Sequence, residues 1–409
     1  MNSRTATALL MEKGVDIPRP ESVFIGQDVD LARISGRGVT LYPGTRIDGE
    51  KTLIMDGASI GSEGAVTLDN TLVGPGTKLK GGFFQGAVFA GKNSFGSGAH
   101  VRQGTILEEE ASAAHAVGLK QTILFPFVTL GSLINFCDIL MAGGTSRKDH
   151  GEVGSSFVHF NYTPNQDKAT PSMLGNVHQG VMLNQRPVFL GGQGGLVGPC
   201  RLAFGTVTAA GTICRRDELR QDRIIFGNAL KEGSIPRTEG VYTGAGKIYN
   251  ANCLYIAGLI GLMNWYGTVR SLFVSDNLSK SLFLGMRGTL KLCIDERIHR
   301  LGAFSARLKD SKKILLSMSK GETTELVRIH HLIMEKWPRT EEILAAEADR
   351  DNSGALPEDF LKSLTKKSGY IEAIQNLDPD MALTGSNWLE AIELSIMDKV
   401  GLNIRKQQV

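Results

Sequence analysis

Apolar residues recur every six positions in several runs along the first half of the chain. Ile54, Ile60, Val66 and Leu72 make one run, and Phe89, Phe95, Val101 and Leu107 make another. Small or turn-forming residues stand beside them, as in IGSEGA, VGPGTK, FGSGAH and VRQGTI. One aliphatic residue per six predicts short strands that turn a corner at small residues and point one side chain into a narrow triangular interior. Three such strands close a coil, and a coil buries its apolar face only against the next one, so the pattern must run long. It does, through 23–107, 117–158 and 188–213, and the expectation is a mainly β chain: a left-handed parallel β-helix of hexapeptide repeats. Glycine use agrees. The chain has 49 glycines in 409 residues, about 12% against a usual 7%, concentrated before residue 215 where corners need positive φ. Only 13 prolines accompany them, which excludes a collagen-like repeat.

Beyond Arg215 the period changes. Ala303 to Ser319, Glu322 to Trp337 and Trp388 to Val400 carry apolar residues at three-to-four spacing, the signature of amphipathic helices. Leu326, Ile329, Leu332 and Ile333 form the stripe of the second, with Pro338 expected to end it and Thr340 to cap the next. Leu254 to Trp265 is too short to span a bilayer and is interrupted by Gly258, Gly261 and Asn264, so it reads as a buried helix. The expected division is an N-terminal helix and linker over 1–20, the β-helix over 21–217, a linker over 218–245 and a helical C-terminal region over 246–409.

Charge narrows the partners. Forty-five basic and 42 acidic residues leave a net +3, too little for a nucleic-acid or anionic-membrane footprint, so any anionic ligand must be met locally. The cysteines Cys137, Cys200, Cys214, Cys253 and Cys293 contain no CxxC pair, which suggests neither a disulfide framework nor a zinc site and fits a reducing cytoplasm. The first residues do not read as a signal peptide. DRDNSGALPEDF begins like a calcium loop at Asp349, but its twelfth position is Phe360 where the bidentate acid belongs, and no metal is expected.

Four segments resemble the bifunctional N-acetylglucosamine-1-phosphate uridylyltransferase/glucosamine-1-phosphate acetyltransferase family, in its C-terminal β-helical half only. LLMEKGVDIPRPESVFIG followed by VTLYPGTRIDG is similar to the junction where a helix leads into that β-helix. HVRQGTILEEEASAAHAVGLK resembles the segment whose arginine and lysine hold the sugar phosphate, placing Arg102 and Lys120 in those roles. VGSSFVHFNYTPNQDKAT resembles a further substrate-binding run, matched by Asn161 and Tyr162, with Lys168 displaced by one residue. VFLGGQGGLVGPCRLAFGTVTAAGTICRRD is similar to the coils that take the pantetheine arm of acetyl-coenzyme A, implicating Gly192 and Ala210. The likeness covers residues 8 to about 217, with insertions near 142–150 and 175–187. No glycine-rich nucleotide loop occurs in the first twenty residues, so uridylyl transfer by this chain alone is not expected.

The resemblance implies acetyl transfer from acetyl-coenzyme A to an amino-sugar phosphate such as glucosamine 1-phosphate, or to a nucleotide-linked amino sugar, in UDP-N-acetylglucosamine biosynthesis, by a cytoplasmic homotrimer. It departs at the base. Ser132 stands where the family has a catalytic histidine, Asn135 replaces a tyrosine, and Glu152 aligns with a sugar-contacting asparagine. A serine hydroxyl needs another base to activate it. His150, His159 and His178 are the candidate substitutes, His159 first because it lies two residues before Asn161, and Glu152 is a further candidate base or charge selector. The other reading left open is an inactive sugar-phosphate-binding scaffold that partners a separate nucleotidyltransferase.

Overall fold

The computed structural model describes residues 2–227, 233–234, 236–364 and 369–402. Residues 228–232 and 235 of the expected linker, and 365–368 and 403–409 of the expected helical region, lie outside the described residues. The first half is a parallel β-solenoid with three faces. The first face runs from the strand Phe24–Ile25 through Arg46–Asp48, Val66–Asp69, Gly82–Gln85 and Ala99–Val101 down to Ile213–Cys214. The second runs from Leu53–Ile54 through Leu72–Val73, Ala87–Phe89 and Thr105–Leu107 to Arg201–Leu202. The third runs from Thr40–Leu41 to Ile224–Ile225, one strand past the expected boundary at 217. Two seven-residue strands, Gly118–Leu124 and Asn135–Met141, pass from the first face to the second, paired on either side of a turn at Gln121 and Asp138, both with positive φ.

Side chains alternate inward and outward along each short strand. The inward set fills the triangle: Phe84, Phe89 and Phe95 come from the three faces of one coil and pack edge to face, with centroids 5.7–5.9 Å apart. The run Phe89, Phe95, Val101, Leu107 points inward throughout. The run from Ile54 does not keep phase. Register aligns Ile54 with Val73, so Leu72 faces outward, because the loop at Gly61–Gly64 lengthens that coil. Helix α1 (Ser3–Glu12) closes the N-terminal end, with Ala6 and Leu10 buried on the solenoid core.

The outward positions of the second face explain the rest of the chain. Every strand there except the last, Arg201–Leu202, begins with or contains an apolar doublet: Leu53–Ile54, Leu72–Val73, Val88–Phe89, Ile106–Leu107, Ile123–Leu124, Leu140–Met141 and Met173–Leu174. The second member fills the solenoid and the first is buried beneath the C-terminal helices. Short helix α2 (Val177–Gly180) belongs to an insertion on this side, and α3 (Ala245–Thr268), α4 (Asn277–Met318), α5 (Glu325–Ala348), α6 (Glu358–Ser363), α7 (Tyr370–Gln375) and α8 (Pro379–Val400) form the helical region. Helix α4 lies along four second-face strands. Leu254–Trp265 is the buried centre of α3, and none of the described helices is long and apolar enough to cross a membrane.

Pro338 does not end its helix as expected. It lies inside α5, and Thr340, rather than capping, is buried with its hydroxyl 2.7 Å from the Tyr249 hydroxyl of α3. Packing against α3 and α8 outweighs the one backbone bond that a proline removes. Phe360, in the calcium-like segment, is fully buried against Trp265.

Ion pairs key the two halves together. Arg270 makes a bidentate pair with Glu109, and Tyr266 donates a hydrogen bond to Glu108. Arg297 of α4 reaches the corner residue Asp138 at 2.9 Å, both almost fully buried. Burial raises the Glu108 carboxyl to about 7, the Arg270 charge only partly opposing it.

Two outcomes follow from this packing. Leu140→Ala should lower the free energy of urea unfolding by about 2–5 kcal/mol, while Leu133→Ala, more than half exposed, should change it by less than about 0.5 kcal/mol. Because the folded Glu108 holds its proton above the unfolded value, its contribution is fully present below pH 4.5 and is lost as pH rises through about 7. Glu108→Gln should therefore gain stability relative to the native chain across that window, at a slope of at most about 1.4 kcal/mol per pH unit, read by denaturation at several pH values.

Candidate functional site

Parallel pairing stacks residues of successive coils about 4.8 Å apart, and it sorts the candidate residues onto two edges of the first face. At the edge shared with the second face, Val101 pairs with Leu119, so Arg102 lies beside Lys120, and Lys120 pairs with Cys137 on the next coil. Arg102 is exposed and Lys120 half-buried. Among the described residues neither forms an ion pair, so two uncompensated cations occupy neighbouring rungs. Asn161 stands one coil further on, its amide donating to Asp138 at 3.2 Å. Tyr162 is 72% exposed and Lys168 is exposed on the same loop, the Lys168 carbonyl accepting a bond from Arg297. The resemblance-derived substrate residues thus share one edge, and the structure adds Asp138 and Arg297 as the pair that holds Asn161 and the Lys168 backbone.

Cys137 sits among these charges. Burial pushes its thiol up to about 12, assisted by Asp138 and opposed by Lys120, Arg297 and Arg102. A thiol held protonated in this way is not a nucleophile at neutral pH.

The opposite edge, shared with the third face, has a three-residue corner repeated from Gly96-Ser97-Gly98 through Ala209-Ala210-Gly211. A small residue is followed by an outward one and then by a residue with positive φ, as in Gly131-Ser132-Leu133 and Gly154-Ser155-Ser156. Backbone bonds from Ala116 to Ser97, Leu133 to His115, Ser156 to Ser132, Gln193 to Ser155 and Gly211 to Gly192 stack the outward positions in a column. Ser97, His115, Ser132, Ser155, Gly192 and Ala210 therefore line one ridge, with Gly192 and Ala210 below the serines. Gly131 is required here: a Cβ on it would come within 3.0 Å of the Ser155 backbone nitrogen and hydroxyl. Ser132 Oγ is 2.8 Å from His115 Nδ1, and the Ser132 backbone nitrogen donates to Ser155 Oγ. His115 was not singled out by the sequence reading, which looked for a replacement base downstream of Ser132 rather than one coil upstream. The signal available was the 17-residue separation, one coil length. Between the two edges the outward side chain is Asn135, exposed.

The other candidates lie apart. His159 points into the solenoid, 2% exposed, its Nδ1 donating to the Cys137 carbonyl and its Nε2 accepting from the Ser172 hydroxyl. Burial lowers its pKa. With both ring nitrogens engaged and no open path it is placed as an interior polar plug. Glu152 stands on the third face beside His150, whose Nδ1 meets the Arg147 carbonyl in the hairpin insertion. His178 pairs with Glu393 of α8 at 3.0 Å. Among the described residues no group of three His, Cys, Asp or Glu side chains is arranged to hold a metal ion.

His159→Leu should leave the Cys137 carbonyl and the Ser172 hydroxyl without their partner, lowering stability by about 1–3 kcal/mol. Urea unfolding followed by circular dichroism would measure it.

No family model matches the chain. Among curated proteins it is 27% identical over 227 residues to the bifunctional protein GlmU of Fervidobacterium nodosum, covering 55% of this chain and 44% of the relative. It is 32% identical over 160 residues to that of Thermus thermophilus, covering 39% of this chain and 32% of the relative. It is 28% identical over 219 residues to that of Nocardia farcinica, covering 53% and 39%. The matched stretch thus spans less than half the length of each of these relatives. In sequence and in its parallel β-solenoid, this chain is similar over about half its length to bifunctional GlmU proteins.

Proposed function

We propose that the chain is a hexapeptide-repeat acyltransferase that moves an acetyl group from acetyl-coenzyme A to the amine of an amino-sugar phosphate, glucosamine 1-phosphate being the first acceptor to test. The observation that carries this reading is that one face brackets both halves of the chemistry. Arg102 and Lys120 stand free on neighbouring rungs at one edge, and Ser132, Gly192 and Ala210 share a ridge at the other. A sugar phosphate is a compact dianion, and an arginine with a lysine provides charge-assisted hydrogen bonds to its oxygens. Asn161, held by Asp138, orients the sugar, and Tyr162 and Lys168 close over it from their loop. Gly192 and Ala210 leave a bare strip below Ser132 along which the pantetheine arm would lie. Acetyl-coenzyme A supplies the thioester; the chain's residues bind and orient the two substrates and accept the proton.

The helical region covers the second face, which leaves the first and third faces for contacts between copies. A homotrimer built through them would set a neighbour against the site, as the family likeness implies. The scaffold reading, in which the chain binds sugar phosphate and supports a separate nucleotidyltransferase, rests on the serine at the position of the family base.

Calorimetric titration with coenzyme A and with glucosamine 1-phosphate should give heat for both, and the pair of substrates should release free thiol. Arg102→Ala and Lys120→Ala should each raise KM for the sugar phosphate by roughly 10- to 100-fold, the equivalent of a lost charge-assisted bond. Sugar-phosphate binding without coenzyme A binding would favour the scaffold, and the absence of thiol release with every amino-sugar phosphate would remove the enzyme reading.

A further inference from the structure

Ser132 and His115 make a contact whose chemistry differs from that of any single residue at the corner. The Ser132 hydroxyl and the His115 Nδ1 are 2.8 Å apart on adjacent coils. His115 is exposed, and among the described residues its Nε2 has no protein partner. A histidine in that setting holds its proton on Nε2 against water and turns the Nδ1 lone pair to the serine hydroxyl. Ser132 is thereby fixed as a donor to His115, with its oxygen lone pairs turned outward over the first face. A serine alone is no base at neutral pH; a serine whose proton has somewhere to go is a relay.

We propose that Ser132 and His115 form a two-step proton relay for acyl transfer, in which the histidine supplies from the coil above the basicity that the serine position lacks. The inference rests on the acyltransferase reading given above. As the acceptor amine attacks the thioester carbonyl, the carbon–nitrogen bond forms and the carbon–sulfur bond breaks. A proton on the attacking nitrogen passes to Ser132 Oγ while the serine's own proton passes to His115 Nδ1. The leaving thiolate takes up a proton, the imidazolium returns its own to water, and the products are the amide and the thiol. Nothing is oxidised or reduced.

The ridge is built for this pair. Gly131 brings Ser155 close enough for its hydroxyl to accept from the Ser132 nitrogen, which fixes the serine backbone at the corner. Above His115 the ridge carries Ser97, whose nitrogen donates to Glu63, itself paired with Lys80. Below it lie Ser155 and the side-chain-free Gly192. Glu63 and Lys80 are the charged groups that meet the ridge at Ser97, and they pair with one another. Across the strand, Cys137 follows Ser132 by five positions, about 16 Å of extended chain. The serine lies on the face that presents the phosphate-binding cations rather than behind it.

The test uses the full chain, acetyl-coenzyme A and glucosamine 1-phosphate, with thiol release as the rate. His115→Gln and Ser132→Ala should each lower kcat by about 100-fold or more, the worth of general base catalysis, with KM and the calorimetric affinity for coenzyme A unchanged. The double variant should be no slower than the slower single one, since the two act as a unit. A Lys80→Ala control, which removes the charge partner of Glu63 beside Ser97, should keep the native rate. Added imidazole should restore part of the rate to His115→Gly. If the native chain turns over and His115→Gln matches it, the relay is overturned and the acyltransferase reading stands. If the native chain neither binds coenzyme A nor releases thiol, both fall together.

Discussion

Backbone register between coils is the constraint on which everything else in this molecule depends. Parallel ladders set each residue beside the one a coil length away, 17 or 18 residues along the chain at Arg102, Lys120 and Ser132, and they hold it there through paired main-chain bonds whose loss inside the fold would be costly. Side-chain neighbourhoods are then a consequence of arithmetic. Lys120 meets Arg102, Ser132 meets His115, and the apolar doublets of the second face align into one continuous strip. A single-residue slip would send every inward side chain outward and scatter all three arrangements.

That strip is what recruits the C-terminal half. A solenoid is usually apolar inside and polar outside; here one face in three is apolar on both sides, and the helices bury it. Burial alone would favour any orientation of a greasy helix on a greasy face. The pairs Arg270 with Glu109 and Arg297 with Asp138 give the contact direction, because a charge buried without its partner costs several kcal/mol. The Arg297 pair also reaches the candidate site, since Asp138 holds Asn161 and Arg297 holds the Lys168 carbonyl. Docking of the helical region and the shape of the edge that carries Asn161 and Lys168 are therefore mechanically linked through one buried ion pair.

Much of this was legible in the sequence, and the failures have physical causes. The six-residue period identified the solenoid, and the helical spacing beyond Arg215 identified the second region. The doublets stand in the same repeats, at Ile106-Leu107 and Leu140-Met141, but a six-residue period marks only the inward member of each. Leu72 was assigned inward because a longer coil at Gly61–Gly64 shifted the phase. Pro338 was given its local meaning, which packing around Thr340 and Tyr249 overrides. At the site, likeness to a family placed Arg102, Lys120 and Ser132, and stacking put them on one face. His159 attracted notice through its nearness to Asn161 along the chain, yet alternation turns it inward. His115 was overlooked because its neighbour is a coil away.

The central claim is that one face of the solenoid presents a single continuous site from the serine ridge to the paired cations. A crystal structure of the full chain soaked with coenzyme A and glucosamine 1-phosphate tests it most directly. The account predicts the thiol beside Ser132, the pantetheine arm along Gly192 and Ala210, and the phosphate between Arg102 and Lys120. Coenzyme A bound on the third face, or a phosphate held away from both cations, would contradict it.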